Sequence, residues 1–170
     1  MMFKKYLIGF LAFSLSINAQ QRGNRNTPII HVVSNKELVQ KVYPKASRVE
    51  KINDFWFKIV DEKNQVLGFA MSSAPYCKNI IGYHNSTPVM IITNKEWIIQ
   101  RVSLLTNYEA LAYVRLLERK GFFDLWVGKT LNEAKKVELD AYIGATSTAE
   151  AVSKNVNYLL ENGSKVLPNK

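Results

Sequence analysis

Residues 140–148, Asp-Ala-Tyr-Ile-Gly-Ala-Thr-Ser-Thr, bring a hydroxyl, a bare glycine backbone and a helix start to one point. That combination suits an anionic phosphate group. The leading N–H groups of a helix lack intrahelical acceptors, and the dipole there favours negative charge. Ser147 and Glu150 stand in capping-box spacing, so the sequence predicts a helix beginning near Ser147. Val152, Val156, Leu159 and Leu160 then recur on one apolar face, and Gly163 fits the stop. Thr and Ser at a helix start also serve as ordinary caps that bind nothing, so both readings stand on these residues alone.

The run resembles the signature of the FMN-binding domain family, Asp-x-x-[Ser/Thr]-Gly-Ala-Thr, often followed by x-Thr-Ser. That family includes the flavin subunits of the Rnf and Nqr complexes and the FMN domain of the nitrous-oxide-reduction regulator type. Asp140, Gly144, Ala145, Thr146 and Thr148 match; Ile143 replaces the usual hydroxyl residue and Ala149 stands where Ser is frequent. The resemblance continues upstream through Val42-Tyr43-Pro44-Lys45-Ala46, Gln65-Val66-Leu67-Gly68-Phe69-Ala70 and the Ile81-Gly82-Tyr83 loop with Pro88-Val89. Asn107-Tyr108-Glu109-Ala110 resembles the family's Asn-Glu-Thr-Pro segment, with Ala110 and Leu111 in place of Thr and Pro, and residues 122–129 resemble its Phe-x-x-x-x-Gly-Lys stretch. The similarity covers roughly residues 35–160, one domain's worth of chain.

The resemblance implies FMN as cofactor. Its phosphate lies against Gly144, Ala145, Thr146, Ser147 and Thr148, and a flavin transferase esterifies it to Thr146. Asp140 orients the loop or the incoming hydroxyl, or is a turn-capping carboxylate. Tyr83, beside Gly82, and Glu109, in the first turn of a helix, are expected as flavin-ring contacts. Ile143 motivates a non-covalent alternative.

Other chemistries find little support. Cys77 is the only cysteine, which excludes an intramolecular disulfide. It reads as a small buried apolar residue, with a thiol near the flavin as the sharper alternative. His31 and His84 are the only histidines, and neither stands in metal-ligand spacing. The sequence has no Gly-x-Gly-x-x-Gly or Gly-x-Ser-x-Gly, and no nucleophile–base pair that would argue for a hydrolase.

The net charge is +9; without Lys4 and Lys5 the remaining 21 basic and 14 acidic residues leave +7. The charges are scattered and read as a solvated surface, with contact to anionic lipid or acidic partners as the alternative and no nucleic-acid motif. Residues 1–20 read as a secretory signal peptide. Lys4 and Lys5 precede a short apolar run at 6–16, and Ile17-Asn18-Ala19 ends it.

The elements that must position these groups follow from periodicity. Residues 21–33 read as a polar leader and a first strand, 34–162 as the domain and 163–170 as a flexible tail. Within the domain, helices are predicted over 34–42, 108–119 and 131–136. Strands are predicted around Phe55-Phe57-Ile59 and over 66–72, 88–93 and 97–104, with a further short one at 137–139 leading into Asp140. Hairpins followed by helices predict an α+β fold with a mainly antiparallel sheet. Phe122, Phe123 and Trp126 are expected to be core rather than flavin contacts.

Signal peptide and motif together predict an exported flavoprotein, periplasmic or on the outer face of the cytoplasmic membrane, relaying electrons between redox partner proteins. The alternatives are a non-covalent FMN-binding domain and a flavin-free envelope interaction module on the same fold.

Overall fold

The computed structural model describes residues 28–138 and 146–169. The predicted signal peptide, the leader up to Thr27, and residues 139–145, which carry Asp140, Ile143, Gly144 and Ala145, lie outside the described residues.

Among the described residues five strands form one antiparallel sheet, each beside its neighbour in sequence. They are β1 (Arg48–Lys51), β2 (Trp56–Val60), β3 (Val66–Ser72), β4 (Val89–Thr93) and β5 (Ile99–Leu104). Among the described residues four α-helices accompany them: α1 (Asn35–Val42), α2 (Leu111–Arg119), α3 (Leu131–Ala134) and α4 (Thr146–Gly163). The fold is α+β, with a sheet clad in helices on both faces.

Strand β4 shows why both faces are covered. All five of its residues are buried. Val89 and Ile91 join Trp56, Leu117, Phe122, Trp126, Val152, Val156 and Leu159 in the larger core, beneath α2 and α4. Met90 and Ile92 join Leu38, Val39 and Ile59 in a smaller core beneath α1. Each strand residue alternates between the two, as pleat geometry requires. Phe122 and Trp126 are core residues, as expected, on a 3-10 turn over Phe122–Trp126. Among the described residues no helix is long and apolar enough to cross a membrane.

Several boundaries differ from the sequence reading, each for a local reason. Among the described residues the segment before α1 forms an isolated bridge, His31 to Asn107, rather than a strand. Strand β1 carries Arg48 and Glu50 on a largely exposed edge, so no apolar alternation announced it. Lys58 and Arg48 hold Glu50 through hydrogen bonds and lower its pKa below the usual carboxylate range. Strand β5 begins at Ile99 rather than Trp97. Trp97 takes a left-handed φ of 64° to close the hairpin, and its ring stacks on Phe69 at 4.4 Å. Residues 137 and 138 are not strand.

Helix α4 begins at Thr146, so Ser147 lies inside its first turn and the predicted capping box with Glu150 does not form. The helix ends at Gly163 as expected, but not through a left-handed cap, since Gly163 has φ −63°. A Cβ there would lie 2.3 Å from the Met71 sulfur. The lost side chain lets α4 settle on the sheet, where the Gly163 carbonyl accepts the Trp56 indole N–H at 2.9 Å. The following residues, read as a tail, form a 3-10 turn over Ser164–Val166. Asn53 Nδ2 donates to the Val166 carbonyl, and Lys135 Nζ donates to Ser164 Oγ.

Trp56 is wholly buried and joins sheet to helix by packing and by that indole bond. Trp56→Ala is expected to lower unfolding free energy by about 3–5 kcal/mol, measured by urea denaturation followed by circular dichroism.

Candidate functional site

Glu109 is the point where separated segments of the predicted site meet. Its residue is 1% exposed, and among polar residues it is one of the most completely buried. Burial of a carboxylate is tolerated only where donors replace water. Here the backbone N–H of Tyr83 donates to Oε2 at 3.0 Å and that of His84 to Oε1 at 3.1 Å. The Thr148 hydroxyl donates to Oε2 as well. A carboxylate has acceptor capacity for all three, and hydrogen bonds to a charged acceptor are the stronger kind.

Each partner arrives there for a sequence reason. The chain before α2 is held extended because His31 and Asn107 exchange backbone bonds at 2.7 and 3.2 Å. Asn107 Oδ1 then accepts the Glu109 N–H at 2.9 Å. Helix α2 therefore starts at Leu111, after an extended Ala110, and not at Tyr108. Glu109 precedes the helix, so the expected dipole role in a first turn does not apply. Gly82 lets the Tyr83 loop close over the carboxylate. A Cβ at that position would fall 2.6 Å from Glu109 Oε1 and 2.7 Å from the Thr87 methyl.

Helix α4 supplies the third side. Thr148 faces inward and is 1% exposed, whereas Thr146 and Ser147 are exposed on the same first turn. The expected phosphate contacts thus divide: Thr148 holds the helix to Glu109, while Thr146 and Ser147 face solvent. Asp140, Gly144 and Ala145 lie outside the described residues.

The Tyr83 ring is half-exposed and packs edge-on against Tyr113 at 4.8 Å and His84 at 4.5 Å. The hydrogen bond with the Tyr83 hydroxyl raises the Tyr113 pKa above the ordinary phenol value. The place of Tyr113, on α2, beside Tyr83 depends on a tertiary contact between loop and helix.

Two segments of the resemblance meet elsewhere. Tyr43 donates its hydroxyl to the Thr93 carbonyl at 3.0 Å and lies across Gly68, on the α1 side of the sheet. Cys77 is buried, and desolvation pushes its thiol pKa up, as suits an apolar filler rather than a reactive thiol. Among the described residues no group of three His, Cys, Asp or Glu is arranged to hold a metal ion.

Comparison with protein-family models and with curated protein sequences finds no match to this chain.

Glu109→Gln replaces one acceptor oxygen by a donor and strands one of three converging N–H or O–H groups. It is expected to lower stability by about 1–3 kcal/mol in urea denaturation, with amide shifts at Tyr83 and His84. Tyr83→Phe is expected to return the Tyr113 titration toward the ordinary phenol range, read by ultraviolet absorbance of the phenolate.

Proposed function

We propose that this protein is an exported FMN-binding flavoprotein that relays electrons between redox partners. The reading rests on one observation: the Gly82-Tyr83 loop, Glu109 and the start of α4, far apart in the chain, converge on a single buried carboxylate. Those are three of the segments in which the sequence resembles the FMN-binding domain family.

The residues suit such a group. Thr146 is solvent-facing at the first residue of an 18-residue helix, where leading amides and dipole favour an anion. Ser147 stands exposed beside it, and the half-exposed Tyr83 offers an aromatic face across the Glu109 junction. FMN, when bound, supplies the redox chemistry, and the protein positions it and tunes its potential.

Each residue then has a distinct task. Thr146 carries the hydroxyl that a flavin transferase joins to the phosphate. Gly144 and Ala145 let backbone approach the phosphate closely, and Asp140 orients that loop. Glu109 is a positioning residue, since its oxygens are occupied by the three donors and it acts through Tyr83 and Thr148. A covalent tether prevents loss of the cofactor outside the cytoplasm, where free FMN is scarce.

Ile143 favours a second reading, in which FMN binds without the ester. Loss of the hydroxyl residue at that position alters the motif that the transferase reads. Acid precipitation separates the two: colour stays with the polypeptide if esterified and leaves it if not.

Export in a host that supplies flavin transferase is expected to give a yellow protein heavier by one FMN moiety. Thr146→Ala is expected to abolish the added mass in intact mass spectrometry. A colourless product that takes up no riboflavin derivative would sink both flavin readings and leave the flavin-free interaction module.

A further inference from the structure

Strand β1 is the first strand of the sheet, and among the described residues β2 is its one strand neighbour. Its outer side is exposed. Val49 is 45% exposed, and the Arg48 and Lys51 side chains are 51% and 60% exposed. This edge lies apart from the Glu109 junction and is independent of the flavin reading.

Hydrogen-bond parity assigns its free groups. The Ile52 N–H donates to the Trp56 carbonyl at 2.9 Å, and amide direction alternates along an antiparallel strand. Arg48, Glu50 and Ile52 therefore turn their main-chain groups toward β2. Val49, opposite Ile59, and Lys51, opposite Phe57, turn N–H and C=O outward. Among the described residues no turn, loop or side chain bonds to these four groups.

Charges on an edge strand ordinarily block pairing with another chain. Their order here admits one partner. A two-fold pairing of β1 with its own copy, centred on Val49, sets Val49 against Val49 and Lys51 against the uncharged Ser47. It also sets Arg48 of each copy against Glu50 of the other. Centring on Arg48, Glu50 or Lys51 sets that charge against itself. Opposite charges facing across two strands stabilise the pair, and like charges destabilise it. Donors and acceptors remain for the cross-strand contact. Arg48 gives Nε to Glu50 Oε1 at 2.6 Å and one terminal nitrogen to Asn64 Oδ1, which leaves its other terminal nitrogen. Glu50 Oε2, 3.0 Å from Lys58 Nζ, keeps acceptor capacity.

We infer that β1 pairs antiparallel with β1 of a second copy of this chain, centred on Val49, and joins two five-stranded sheets into one continuous sheet. The strand has four residues, and the net charge of +9 opposes the encounter, so the contact is weak, reversible and concentration-dependent.

Sedimentation velocity of the full chain over a concentration series reads the association, and circular dichroism checks that each variant is folded. Arg48→Glu alone and Glu50→Arg alone each place like charges across the axis. Each is expected to weaken self-association at least tenfold. An equimolar mixture of the two variants is expected to associate again, because every charge then faces its opposite. Val49→Pro removes an N–H that makes no bond within the chain, and proline is tolerated on such an edge. It is expected to weaken association at least tenfold with the fold intact. In a mixture of isotope-labelled and unlabelled chain, an intermolecular nuclear Overhauser effect between the α-protons of Arg48 and Glu50 is expected, the mark of this register. A chain that stays monomeric at millimolar concentration overturns the proposal. So does association that survives Val49→Pro, single charge variants that associate as tightly as the unaltered chain, or a mixture that stays monomeric.

Discussion

A buried carboxylate with three inward-pointing donors is the constraint on which the site depends. Glu109 has no water to fall back on, so the Tyr83 loop and the first turn of α4 must bring donors to it. The loop closes only because Gly82 has no side chain, and the α4 start is set because Thr148 reaches the same oxygen. Sequence separations of 26, 25 and 39 residues are bridged by one functional group. The loop, the entry to α2 and the exposed Thr146 are therefore placed relative to one another by polar bonding, while the apolar cores place the elements that carry them.

Those cores were the most legible part of the sequence. Short apolar runs mark β2, β3 and β4, and β4 is apolar at four successive positions because the sheet is covered on both faces. The helix at α1 was legible through Ser34, whose hydroxyl accepts the Glu37 N–H at 3.3 Å. A complete capping box at Thr130 and Glu133 starts α3. It is visible in the sequence as Thr-x-x-Glu, and the bonds from Thr130 lower the Glu133 pKa. Strand β1 was illegible because its stability comes from pairing and from charges on an exposed edge, which leave no apolar period.

The candidate site was legible by residue type and not by role. Glu109 was read as a helix-turn residue because its neighbours look helical; only the long-range pairing of His31 with Asn107 delays α2 and turns the carboxylate inward. Thr148 was grouped with Thr146 by spacing, although residues two apart on a helix face different directions. One therefore looks into the core and the other to solvent. The Tyr83–Tyr113 contact depends on how a loop meets a helix, and local sequence carries no trace of it.

Helix α4 is fastened near both ends by buried bonds, from Thr148 to Glu109 and from Trp56 to the Gly163 carbonyl. With a rise of about 1.5 Å per residue, the two fastenings lie some 20 Å apart. A rod pinned twice cannot screw along its own axis or slip by one turn without breaking a bond that water does not replace. Whatever engages Thr146 at its tip thus meets a fixed post, indexed through the rod to Trp56 on β2.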